Sequence, residues 1–125
     1  MRYVAPAALI LVAIIHLLPL AGVLGSDRLE ALYGITVDEP NLLLLMRHRA
    51  VLFGILGLLL VAAAFVRELR SSAFAAGFAS VVSFLVLAGS KDINAQVARV
   101  ATADWIALVL LVIGLALHVS ERRRS

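Results

Sequence analysis

The sequence predicts an all-α integral membrane protein, an antiparallel bundle of four transmembrane helices, and three observations lead there. Hydrophobic residues make up 63% of the 125 residues and charged residues only 15%, a balance that a soluble domain of this length cannot hide from water. Four apolar runs, Tyr3 to Val23, Leu42 to Val66, Ala73 to Leu87 and Val100 to Val119, are separated by short polar stretches. Cysteine is absent, which excludes disulfides, thiolate nucleophiles, iron–sulfur clusters and Cys-ligated zinc together. The net charge of +3 is spread among the apolar runs and one tail rather than gathered in a groove-sized patch, so nucleic acid is not an expected partner. With no linker, low-complexity tract or internal repeat, residues 1–125 are read as a single transmembrane domain.

About twenty apolar residues, at 1.5 Å each, cross a hydrocarbon core of about 30 Å. The first run meets that length and exceeds a usual signal-peptide core, so it is read as a span although AGVLGS resembles a cleavage site. Within it, Pro19 frees the carbonyl of Ile15 and sets a kink just after His16. In the following loop, Asp27 and Glu30 have capping-box spacing and Gly34 suits a C-cap, which predicts a short surface helix from about Arg28 to Tyr33. Its apolar side, Leu29, Leu32 and Tyr33, is expected to rest on the bundle or on headgroups. Pro40 suits the first turn of the second span. On that span Ala50, Gly54, Gly57 and Val61 form a narrow stripe of mostly small residues for close helix approach, and Ala73, Ala76, Gly77 and Ser80 form another on the third. The third run is short, and the fourth reaches full length only if Asp104 is drawn into the membrane. A re-entrant hairpin is the alternative to two complete spans there.

Orientation follows from Lys and Arg near the span ends. With both termini inside, the cytoplasmic side carries Arg2, Arg67, Arg70, Arg122, Arg123 and Arg124, opposed only by Glu68 and Glu121. The other side carries Arg28, Lys91 and Arg99 once the helix residues Arg47 and Arg49 are set aside. An N-in, C-in bundle with an extracytoplasmic surface helix is the result. Tyr3, Tyr33 and Trp105 fall near interfaces, where amphipathic rings settle.

The second span places Arg47, His48 and Arg49 where hydrocarbon is expected. A charge at mid-bilayer costs about 2.5 to 3.5 kcal/mol on the insertion scale, and each Leu, Ile, Phe or Val returns about 0.3 to 0.6 kcal/mol, so the leucine-rich helix can still insert. Arg49 lies about 13 Å beyond Pro40, and the three side chains point about 100° apart. His16, Ser83 and Asp104 fall at roughly the same level. Unpaired groups in hydrocarbon cost several kcal/mol each, so His16, Arg47, His48, Arg49, Ser83 and Asp104 are expected to share one internally satisfied polar site, with Arg49 or Arg47 paired to Asp104. Each also has a plain structural reading: His16 as a satisfied core histidine at the kink, Ser83 bonded to its own helix, and the Arg–Asp pair as a register lock. His118 shares a face with Asp104 but lies about 21 Å further along, at the cytoplasmic interface.

LYGITVDEP followed by MRHRAVLFGILGLLLVAAAF, after a first span ending in HLLPLAGVLG, resembles a family of small bacterial four-span membrane proteins of uncharacterised function. Members carry an Arg-Ala pair followed by glycines in the second span, matched by Arg49, Ala50, Gly54 and Gly57. The likeness is strongest from Tyr33 to Phe65 and weak in the last span. It implies a four-span fold in the bacterial inner membrane, not an activity. Relatives are sometimes labelled phosphopantetheine adenylyltransferase, a soluble nucleotide-binding activity that does not fit a chain without an HxGH motif or phosphate-binding glycine loop.

The function expected from these residues is binding or accessory, with an anionic headgroup, a small anion or a partner helix accepted by the Arg-containing site, and with membrane lipid, a second copy or another membrane protein as partner. The alternative is a small dimeric proton-coupled transporter using Asp104. A b-type haem protein with His16 and His48 as axial ligands is a weaker third. No carboxylate pair, zinc-ligand spacing or serine–histidine–acid set supports an enzyme, and no cofactor or metal is expected.

Overall fold

A computed structural model describes residues 2–89 and 92–124, and all regular structure in them is helical. Lys91 lies outside the described residues. Four stretches are long and apolar enough to cross a membrane: Val4–Leu24, Pro40–Phe65, Arg67–Ala88 and Ala95–Arg124. The third is longer than its apolar core suggested. A single turn of 3-10 helix, Arg67–Leu69, leads into α4 (Arg70–Ala88), so 22 residues run without the break a re-entrant hairpin needs.

The first stretch is not uniform. Helix α1 spans Val4–Leu17 and gives way to a 3-10 segment, Leu18–Leu24, because Pro19 has no N–H to continue the ladder. Helix α2 (Ser26–Tyr33) follows and starts earlier than expected. Its N-cap is Gly25 and no side chain caps it, so the Asp27–Glu30 capping box does not form: Asp27 sits in the first turn, two residues past the cap position. The C-terminal expectation holds. Gly34 takes φ +67°, and its N–H reaches the carbonyl of Glu30 at 2.7 Å.

Helix α3 (Pro40–Phe65) has Pro40 in its first turn, and its cap was not anticipated. The Glu39 carboxylate accepts from the N–H groups of Asn41 at 3.0 Å and Leu42 at 2.8 Å, which holds its pKa below the ordinary value. At the other end the chain turns extended at Val66, and the freed carbonyls of Ala63 and Ala64 accept from Arg70 Nε and Nη2, each at 2.9 Å. Arg70, counted from the sequence only among the basic residues that set orientation, is thus buried as a clamp between α3 and α4. Helix α5 (Ala95–Arg124) begins at Asn94, whose Oδ1 caps the Val97 N–H at 2.8 Å while its Nδ2 donates to the Tyr33 carbonyl at 2.7 Å. One side chain therefore starts α5 and ties it to the end of α2.

Helix α1 packs chiefly on α3 and α5, and α4 packs on α5 and α3. The main core is rich in small residues, Ala5, Ala13, Ala63, Ala73 and Ala107, filled out by Leu9, Leu60, Phe74 and Leu111. Of the α3 stripe, Ala50, Gly54 and Gly57 are buried; a Cβ on Gly57 would lie 2.6 Å from Leu17 Cδ2. A second cluster joins Leu29, Tyr33 and Val37 to Leu43, Met46, Val97 and Val100, so the surface helix rests on the bundle. Leu45, Leu58, Val86 and Val109 face outward, all more than half exposed, an apolar exterior foreign to a water-facing protein.

The α4 stripe faces inward as expected: Ala73 and Gly77 are buried, and a Cβ on Gly77 would lie 3.1 Å from Leu111 Cδ2 and 3.7 Å from Leu60 Cδ2. Gly77→Leu is therefore expected to overpack the core at a cost of about 1 to 3 kcal/mol, seen as a lower melting temperature in detergent. A variant that melts like the parent would place this face outside the core.

Candidate functional site

His16 closes α1 and is 2% exposed. Its Nδ1 lies 3.0 Å from the Val12 carbonyl and its Nε2 lies 3.0 Å from Ser80 Oγ on α4. A carbonyl only accepts, so the hydrogen-bond network assigns the proton to Nδ1, and Nε2 then accepts from the Ser80 hydroxyl. Both nitrogens of a neutral imidazole are thereby satisfied. The ring also lies 5.7 Å from Phe53, tilted by 47°. This is the satisfied core histidine at a kink, with Ser80 as the partner that the sequence hid inside a small-residue stripe.

Arg49 is half-buried and is held by rings rather than by a carboxylate. Its guanidinium carbon lies 4.6 Å from the centroid of Phe53, 5.7 Å from Tyr33 and 5.8 Å from Phe84, residues of α3, α2 and α4. Such contacts contribute about 0.5 to 2 kcal/mol each as desolvation increases. Among the described residues no hydrogen bond or salt bridge reaches its N–H groups: the expected Arg49–Asp104 pair does not close to salt-bridge distance, although the two charges still act on one another across the space they both line. Asp104, half-buried on α5, lines the same space from another wall.

That space is a cavity of about 240 Å³ between α1, the 3-10 segment, α2, α3 and α5. Its lining is mostly apolar, with Ile15, Leu18, Pro19, Leu32, Phe53 and Val100 among the walls. Its polar groups are His16, Arg49, Gln96, Arg99 and Asp104. His16 has spent both nitrogens, which leaves two guanidinium groups, one carboxylate and one amide to meet a ligand. The balance of formal charge is positive. A hollow of this form suits a small molecule with an apolar body and an anionic group.

Three of the six expected members are elsewhere. Arg47 is exposed and donates from Nε to the Val23 carbonyl at 2.8 Å, tying α3 to the end of the 3-10 segment. His48 is exposed and does not line the cavity, so it shares no space with His16 and the axial-ligand pairing has no geometry to support it. Ser83 is exposed and donates to the Ser80 carbonyl of its own helix at 3.0 Å. The reason is angular: successive helical residues point about 100° apart, so only one of positions 47 to 49 can face a given partner. Gln96, Arg99 and the three rings around Arg49 were not anticipated. Phe53 had a signal, standing one turn from Arg49 on the same face.

Ser80→Ala is expected to leave His16 Nε2 buried without a donor, costing about 1 to 3 kcal/mol of stability, with Ser80→Thr recovering part of it. Thermal melts of the two variants check this, and equal losses would mean that packing alone is sensed. No family model, curated protein or solved structure matches the chain.

Proposed function

We propose that this chain is a non-enzymatic, multi-pass protein of the bacterial inner membrane that binds a small amphipathic molecule bearing an anionic group. The four apolar stretches and the apolar exterior support membrane insertion as an antiparallel N-in, C-in bundle, and the resemblance noted from the sequence supports the bacterial four-span family. In this orientation the cavity opens toward the extracytoplasmic side, beneath α2. The observation that carries the reading is the half-buried Arg49, its guanidinium carbon over the Phe53 ring at the cavity wall, near Asp104 but beyond salt-bridge distance of it. A guanidinium in that state retains its donors for a carboxylate or phosphate. The cavity, about 240 Å³, is below the usual ligand range of about 300 to 1,000 Å³, so a headgroup with the root of its chain fits better than a whole lipid. A cation exporter would need the carboxylate to dominate the lining, whereas Arg49 and Arg99 outnumber Asp104.

Two experiments test this. Native mass spectrometry of protein extracted directly from membrane should show a retained ligand that Arg49→Leu loses; ligand-free parent protein from several mild extractions would overturn the binding reading. Because the chain has no cysteine, single substitutions can be labelled cleanly. Arg28→Cys should react with an impermeant maleimide in intact spheroplasts and Arg123→Cys only after lysis, and the reverse pattern would invert the orientation.

A further inference from the structure

A second polar hollow lies at the far end of α5, about 21 Å along that helix from Asp104. The buried stripe of α5, Ala107, Leu111 and Gly114, ends on His118, which is only 4% exposed. Its ring lies 5.8 Å from Phe74, tilted by 33°. Neither nitrogen has a hydrogen-bond partner. Neutral imidazole carries one donor and one acceptor, and a buried pair left unmade is costly, so native structures seldom retain one without a use. His16, at the other end of the molecule, shows how the same fold satisfies a histidine that is only structural.

His118 lines an open groove of about 540 Å³ together with Arg67, Glu68, Ser71 and Arg122. Arg122 Nη1 donates to Ser71 Oγ at 3.4 Å, so the two sides of the groove already approach one another. The Arg67 guanidinium, the Ser71 hydroxyl and the imidazole offer donors that tetrahedral phosphate oxygens accept, and Arg122, engaged with Ser71, adds positive charge beside them. The groove also lies where the apolar stretches end, Arg67 opening the third and Arg122 near the close of the fourth. That is the level at which a bilayer presents its phosphates. Glu68 on the groove disfavours a doubly charged anion and suits a phosphodiester carrying a single charge. Glu121 lines an adjoining hollow with Arg67 and Arg70, close enough to act on His118 electrostatically, and its Oε1 is likewise buried without a hydrogen-bond partner.

We propose that the groove formed by Arg67, Ser71, His118 and Arg122 binds the phosphate of a phosphodiester headgroup, with His118 as the buried hydrogen-bonding anchor. The site is separate from the cavity beneath α2 and does not depend on what that cavity holds.

The test uses the full-length protein in detergent with ¹⁵N-labelled histidine, and three soluble probes: dihexanoyl phosphatidylglycerol, inorganic phosphate, and dihexanoylglycerol as a phosphate-free control. The phospholipid should shift the His118 ring resonances, assigned by their loss in His118→Leu, and raise the melting temperature. His118→Leu should melt no lower than the parent without probe, because it removes an unmatched buried group, and should bind the phospholipid at least tenfold more weakly. Arg67→Gln should weaken binding about tenfold and keep the His118 signal in place to report it, which also covers a His118→Leu variant that fails to fold. A response to inorganic phosphate alone would keep the phosphate site and make free phosphate its source. An equal response to the phosphate-free control, unmoved His118 resonances with both phosphates, or a response in Arg67→Gln equal to the parent's would overturn the proposal.

Discussion

Two helices can hydrogen-bond through short side chains only where their backbones come close, and α1 is seated between α3 and α5 by alanines and glycines on all three. Gly57 admits Leu17, Gly54 admits Leu20, and Gly114 brings α5 to within van der Waals contact of where Ala8 stands. Larger residues would hold the helices apart. With α1 seated there, His16 also meets the Ser80 hydroxyl of α4, so neither of its ring nitrogens is left unpaired. The kink at Pro19 belongs to the same arrangement. It ends α1 directly above His16 and sends the 3-10 segment over α3, where Arg47 takes up the Val23 carbonyl.

The cavity beneath α2 lies where α1 passes into the 3-10 segment. Leu18 and Pro19 of the 3-10 segment form one wall of a hollow that α2 roofs through Ala31 and Leu32. Asn94 fixes the roof by binding the carbonyl at the end of α2 and capping α5 at once. Arg49 then stands on the wall with its guanidinium carbon over the Phe53 ring and its N–H groups without a hydrogen bond among the described residues. Aromatic faces can hold a guanidinium in place without neutralising it, which a carboxylate at salt-bridge distance cannot do. That difference separates a wall that offers charge to a ligand from one that is already closed.

The two ends of the molecule treat buried cations and imidazoles differently. Beneath α2, the imidazole is satisfied and the arginine is left with open donors. At the other end Arg70 is satisfied by two α3 carbonyls, and the imidazole of His118 has no partner. Each end therefore retains buried or half-buried groups whose hydrogen bonds remain to be made, Arg49 at one and His118 with the Glu121 Oε1 at the other, and each lies beside a hollow.

The sequence by itself determined the helices and their number, because hydropathy summed over about twenty residues is a local property. It also determined the small-residue faces, the αL glycine after α2 and the proline that opens α3, all readable from spacing within one element. It marked His16, Arg49 and Asp104 as sharing a level, since depth along a helix follows from counting at 1.5 Å per residue. What only the tertiary structure decided was direction around each axis and the identity of partners. Counting gives height but not which neighbour a side chain meets, so Ser80 and Ser83 were indistinguishable as partners for His16, and Arg47 and Arg49 as residents of the site. The aromatic setting of Arg49 draws on three helices, the capping of α3 by Arg70 crosses a turn, and the unmatched ring of His118 is defined by what fails to reach it. Those are relations between segments distant along the chain, fixed by how the helices rotate to bury their small faces, and no local pattern carries them.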